Sequence, residues 1–187
     1  MSKNNTQKNT QEEESFLVSF GKDLLSVAAV LIAFMVLSKL AFGLWTPPMV
    51  AVESGSMEPH MQVGDIIFIK NIDRVDLVTN QEGKNSDYMT FGDYGDVILY
   101  RPYGEDSITP IIHRAMYRVE AGEPMWEDGP VAPPYAGYIT KGDNPVTNRH
   151  YDQEGQISYY VPVKDEWIIG VARYRIPYLG HIRLLFS

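Results

Sequence analysis

Apolar residues run almost unbroken from Leu24 to Trp45 and stop at Pro47-Pro48. About 22 such residues in a helix, at 1.5 Å each, cross a hydrocarbon core of about 30 Å. Lys39, the one charge in the run, lies near its far end, where a lysine stem reaches the headgroups. Trp45 suits the interface. The run is longer than a signal-peptide core and has no small-x-small site before the prolines, so it reads as a retained anchor. Beyond it the pattern changes to short apolar or alternating stretches separated by turn residues. These predict strands at 49–52, 65–70, 96–100, 111–120, 137–141 and 166–176. Ile111, His113, Ala115, Tyr117 and Val119 fall on one face of the fourth. Residues 76–93, 104–110 and the proline-rich 121–136 read as loops. The fold class is therefore mainly β, a β domain behind one N-terminal transmembrane helix. The expected division is a disordered polar tail over 1–23, the span over 24–45 and a β domain over 46–187. The apolar end, with His181 and Arg183, is too short to span and packs either on the domain or on the membrane.

Charge sets orientation and excludes some partners. Lys3, Lys8 and Lys22 precede the span, and no lysine or arginine lies between Lys39 and Lys70. The positive-inside rule places the N-terminus in the cytoplasm of a single-pass plasma-membrane protein and the β domain outside. Residues 46–187 carry 20 acidic and 12 basic side chains, which argues against a nucleic-acid partner. There is no cysteine, hence no disulfide and no thiolate metal site.

The chemistry centres on Ser56, eleven residues past Trp45. At about 3.6 Å per residue it lies within roughly 40 Å of the bilayer surface. A serine hydroxyl needs a base to react at neutral pH. Of four histidines only His113 sits on a predicted strand; His60, His150 and His181 fall in loops or at the end and read as solvent-facing. An inward-facing histidine is often only a hydrogen-bonded core residue, but its neutral ring near pH 7 is what a general base requires. The four histidines show no metal-ligand spacing, and no cofactor is expected. Two aspartates could orient the imidazole. Asp143 lies in Lys141-Gly142-Asp143-Asn144-Pro145, a turn whose aspartate would ordinarily brace local backbone. Asp152 has no such evident local duty.

Taken in order, Ser54-Gly55-Ser56-Met57-Glu58-Pro59, Gly95-Asp96-Val97-Ile98, His113-Arg114 and Lys141-Gly142-Asp143-Asn144 after one span resemble type I signal peptidase. The likeness covers nearly all of 24–187, with two longer loops interrupting it. Bacterial members carry a lysine where His113 stands. The chain is thus similar to the archaeal and endoplasmic-reticulum branch, the Sec11-like enzymes, and its acidity leans archaeal. The resemblance implies Ser56 as nucleophile, His113 as general base, and a catalytic carboxylate from Asp152 with Asp143 in support. It also implies an oxyanion site shared by the Ser54 hydroxyl and the Ser56 N–H. Sec11-like chains usually place a second aspartate six residues after the first; here that position is Arg149, and Asp152 is the nearest later one. The implied partners are signal peptides of secreted preproteins and the bilayer, with accessory subunits left open. The alternatives are a protease dedicated to one surface protein, and an inactive anchored β domain that binds extracytoplasmic partners.

Overall fold

The computed structural model describes residues 3–45 and 47–178, with side chains from residue 16 onward. From residue 179 the apolar end with His181 lies outside the described residues. The chain divides into two units between Pro47 and Pro48.

In the first unit, helix α1 runs Lys3–Phe42. Its stretch long and apolar enough to cross a membrane is Phe16–Phe42, so it starts eight residues before the expected Leu24. Side chains from Phe16 to Leu37 are exposed all round. A helix apolar on every side, with those side chains exposed, is built for lipid rather than for a soluble core. Gly43 ends it in a left-handed conformation, φ 80°, with its N–H on the Lys39 carbonyl, a glycine C-cap. The Lys39 Nζ bonds the Gly43 carbonyl at 3.1 Å and lies 5.5 Å over the Trp45 ring. The one charge of the run is therefore satisfied at its end.

The second unit is a six-stranded antiparallel sheet with a small hairpin. Its strands are β1 (Met49–Ala51), β2 (Ile66–Lys70), the hairpin β3 (Met89–Thr90) and β4 (Asp93–Tyr94), β5 (Val97–Tyr100), β6 (Ile111–Val119), β7 (Gly137–Lys141) and β8 (Ile168–Ile176). The sheet order is β1-β2-β8-β5-β6-β7. The last strand thus sits at the centre, pairing β2 on one side and β5 on the other. Every strand expected from the pattern is present, within a residue or two at its ends.

Two local expectations change. Residues 76–93 are not simply a loop: helix α2 (Asn80–Ser86) lies there, opened by Thr79 and Glu82, which cap each other's backbone N–H groups. That Thr-x-x-Glu spacing is a capping box and was readable in the sequence. The continuous face drawn through β6 is also interrupted. Arg114 and Ala115 pair with Lys141 and Thr140, but Tyr117 then pairs with Ile139, a bulge that inserts Met116. One extra residue flips the side-chain parity. Ala115 joins a core with Ile98, Tyr100, Tyr138 and Val171, whereas Tyr117 and Val119 pack on the other side with Met125 and Ile139. His113, before the bulge, keeps the first parity.

Candidate active site

Strand β1 leads into a 3₁₀ turn, Gly55–Met57, that carries Ser56. Met57 and Met61, both fully buried, anchor it below. From the far side it is held by the segment after β7. The Asn144 side-chain amide donates to the Gly55 carbonyl at 2.8 Å, and the Asn144 N–H to the Ser56 carbonyl at 2.9 Å. Gly142 permits the approach, since a Cβ there would fall 2.6 Å from the Ser56 carbonyl oxygen. No other residue fits. The Lys-Gly-Asp-Asn motif is thus largely a clamp on the serine turn.

His113 on β6 lies with its Nε2 3.0 Å from the Ser56 Oγ and its Nδ1 2.7 Å from the Asp152 Oδ2. His113 is 2% and Asp152 3% exposed. An ionised carboxylate only accepts, so Nδ1 carries the proton and Nε2 is left to accept from Ser56. The Ser54 hydroxyl is 3.2 Å from the Ser56 Oγ. A cleft of about 510 Å³ opens over these groups, walled by Val50, Ala51, Leu99, Ile111, Ile112 and Ile157. A larger open groove, about 840 Å³, lies between α2 and residues 116–127, away from Ser56.

Asp143 is placed elsewhere. Its carboxylate takes the Arg114 Nε at 2.9 Å and Nη2 at 2.6 Å, and the His60 Nδ1 at 2.8 Å. Bracing of the local turn falls instead to the Asn144 Oδ1, which accepts from the N–H groups of Val146 and Thr147. His60 is accordingly half-buried rather than solvent-facing, with its ring against Gly92. Arg114, fully buried, also spends its Nη1 on the carbonyls of Thr90, Asp93, Tyr94 and Gly95. Adjacent residues of a strand point to opposite faces. His113 and Arg114 therefore each meet their own aspartate, one on either side of β6.

Arg149, six residues after Asp143, is exposed. Asp152 is brought in by a clasp on Thr140. The Asp152 N–H bonds the Thr140 carbonyl, the Gln153 Oε1 accepts from the Thr140 N–H, and the Gln153 Nε2 donates to the Thr140 Oγ1. Gln153, Arg114 and Asn144 carry no sequence signal of a role beyond the motifs they stand in or beside. Burial by itself would raise the Asp152 carboxyl. The hydrogen bond and charge of His113, with hydrogen bonds from Thr140 and Tyr100, outweigh it and hold the group below its ordinary value of 3.8. A depressed carboxyl contributes stability that is fully present above its unfolded pKa and is lost as pH falls through the folded one. The stability lost in Asp152→Asn should therefore be full above the ordinary carboxyl value of 3.8 and shrink as the pH falls below it. Urea unfolding of both proteins at each pH measures this; a constant difference would contradict it.

A serine, an imidazole and a buried carboxylate in line at the base of an apolar cleft define a serine hydrolase. No family model matches the chain. The signal peptidase complex catalytic subunit of Pyricularia oryzae is 34% identical over 168 residues, covering 88% of this chain and 79% of its own. That of Sclerotinia sclerotiorum is 29% identical, covering 91% and 87%. That of Neurospora crassa is 30% identical, covering 86% and 81%. The chain belongs to the signal peptidase family, in the Sec11 branch, and is a membrane-anchored serine endopeptidase.

Proposed function

We propose that this enzyme cuts signal peptides from preproteins with Ser56 as nucleophile, His113 as general base and Asp152 as the carboxylate that orients it. The observation that carries the reading is the unbroken line Ser56–His113–Asp152, at 3.0 and 2.7 Å. An inactive β domain has no need of such a line.

The Ser56 Oγ attacks the scissile carbonyl while its proton passes to the His113 Nε2. The imidazolium that forms faces the Asp152 carboxylate, which stays ionised and offsets its charge. Negative charge collects on the former carbonyl oxygen, where the Ser54 hydroxyl and the Ser56 N–H are the donors assigned to it. His113 then gives its proton to the leaving amine. Water, deprotonated by the same nitrogen, opens the acyl-enzyme and frees Ser56. The cleft walls suit an extended chain with small apolar side chains, and β1, an edge strand, offers backbone groups to pair with it.

Asp143 takes a supporting part in this reading, through Arg114 and the clamp on the serine turn. The relatives are named as catalytic subunits of a complex. In this chain the whole line lies within one domain, so the hydrolytic step is assigned to it without a residue from another subunit. The lysines before the span favour a cytoplasmic N-terminus and a β domain on the outer face of the plasma membrane.

Cleavage of a preprotein by the chain reconstituted in liposomes, with the new N-terminus sequenced, tests the activity. A cut after the signal peptide supports the reading; an uncut preprotein sinks it. Orientation is tested separately, because the chain has no native cysteine. In intact cells an impermeant maleimide should label Val146→Cys, at a position 71% exposed, and should reach Thr6→Cys only after permeabilisation. The reverse pattern would invert the topology.

A further inference from the structure

The mechanism uses one oxygen of Asp152, and that oxygen has more partners than His113. The Tyr100 hydroxyl on β5 lies 2.9 Å from the Asp152 Oδ2, and the Thr140 hydroxyl on β7 lies 2.7 Å from it. Both residues are fully buried. The hydroxyl protons can be assigned. Thr140 has one proton and two acceptors in reach, the carboxylate at 2.7 Å and the Tyr100 oxygen at 3.3 Å. The shorter, charge-assisted bond takes it. The Thr140 oxygen then accepts from the Gln153 amide at 3.3 Å, which leaves the Tyr100 proton directed at Asp152. Burial, and then the Asp152 charge, push the Tyr100 hydroxyl well above its ordinary pKa. It remains a donor across the working range.

Three donors from three strands thus converge on one carboxylate oxygen. Together they hold it within hydrogen-bond reach of the His113 Nδ1. Asp152 arrives nine residues after Asp143, past a loop that carries exposed Arg149 and His150, so its carboxylate depends on such bonds for its place. Tyr100 does not line the cleft, so it has no contact through which to bind substrate.

We infer that Tyr100 is a positioning residue for the hydrolysis, its hydroxyl setting the Asp152 carboxylate against His113, with Thr140 as second holder. The inference rests on the proposed role of Asp152. Without the Tyr100 hydroxyl the carboxylate swings more freely, and the imidazole is presented to Ser56 in the productive orientation for less of the time. The effect falls on turnover and not on substrate affinity.

The test is a double-mutant cycle on the full-length, membrane-reconstituted enzyme, with kcat expressed per active site titrated by a serine-reactive label. This normalisation removes any misfolded fraction. Tyr100→Phe keeps the ring and removes one hydrogen bond to a charged group. It should lower kcat about tenfold or more, with KM unchanged. In the Asp152→Asn background the same substitution should cost less than about twofold, because its target is gone. Thr140→Ser should retain more activity than Thr140→Val. If Asp152→Asn is damaging but Tyr100→Phe leaves kcat intact, or costs as much in both backgrounds, or raises KM alone, the role of Tyr100 is overturned and that of Asp152 stands. If Asp152→Asn itself is harmless, both fall.

Discussion

Ser56→Ala should lose preprotein cleavage by on the order of 10⁴-fold or more while staying folded and membrane-bound. The nucleophilic oxygen is removed outright, and among the described residues no other hydroxyl bonds the His113 Nε2. The Ser54 hydroxyl contacts the Ser56 Oγ at 3.2 Å rather than the imidazole. The fold should hardly notice. Ser56 is half-exposed, and its turn is fixed by Asn144, Met57 and Met61 rather than by its own side chain. A stability change of about 1 kcal/mol or less is expected from losing one such hydroxyl. His113→Ala should be comparably inactive, and the double variant no worse than either single one, because the two residues act as a unit. Single-turnover rates on one preprotein, with circular dichroism on the same samples, measure this. Substantial cleavage by folded Ser56→Ala would remove the nucleophile assignment; losses that multiply in the double variant would remove the unit.

The second large effect separates the two aspartates by kind of damage. Asp152→Asn replaces an acceptor-only carboxylate with an amide beside the His113 Nδ1. The imidazole then loses its required tautomer and the partner for its charged form, and turnover should fall by orders of magnitude. Asp143→Asn should do something different. Arg114 is fully buried, and Asp143 is its close counter-charge. The other carboxylate near Arg114, Asp93, is 4.0 Å away and partly exposed, so breaking the buried pair should cost about 3–5 kcal/mol of stability, a far larger loss than bracing a surface turn would produce. The Arg114 carbonyl contacts also tie in the β3–β4 hairpin, so the loss spreads along that side of the sheet. Turnover per folded molecule should fall less than in Asp152→Asn, through loosening of the Gly142–Asn144 clamp. Urea unfolding paired with single-turnover rates per active site decides it. An Asp143→Asn protein of native stability with Asp152-like loss of turnover would move the orienting carboxylate to Asp143.

These contrasts show where the sequence was legible. Strand positions could be read because apolar alternation is local and turn residues bound it; β6 and β8 lie almost where the pattern put them. The bulge at Met116 could not be read, because either parity buries apolar residues and only the pairing with β7 selects one. α2 was hidden by its polarity, although its capping box stood in the open. His60 read as solvent-facing because its partner, Asp143, is 83 residues away.

By itself the sequence determined the anchor, the mainly β domain behind it, the order of motifs and a short list of groups able to react. Each of these depends on residue type, spacing or local period. What the tertiary structure alone decided is which groups meet. It separated Asp143 from Asp152 by putting His113 and Arg114 on opposite faces of one strand. It also brought in Tyr100, Thr140 and Gln153, which belong to no expected site, to hold a carboxylate nine residues past Asp143. The physical reason is range. Period and turn chemistry act over a few residues, whereas a hydrogen bond between residues 39 or 57 positions apart exists only after the sheet has placed its strands side by side.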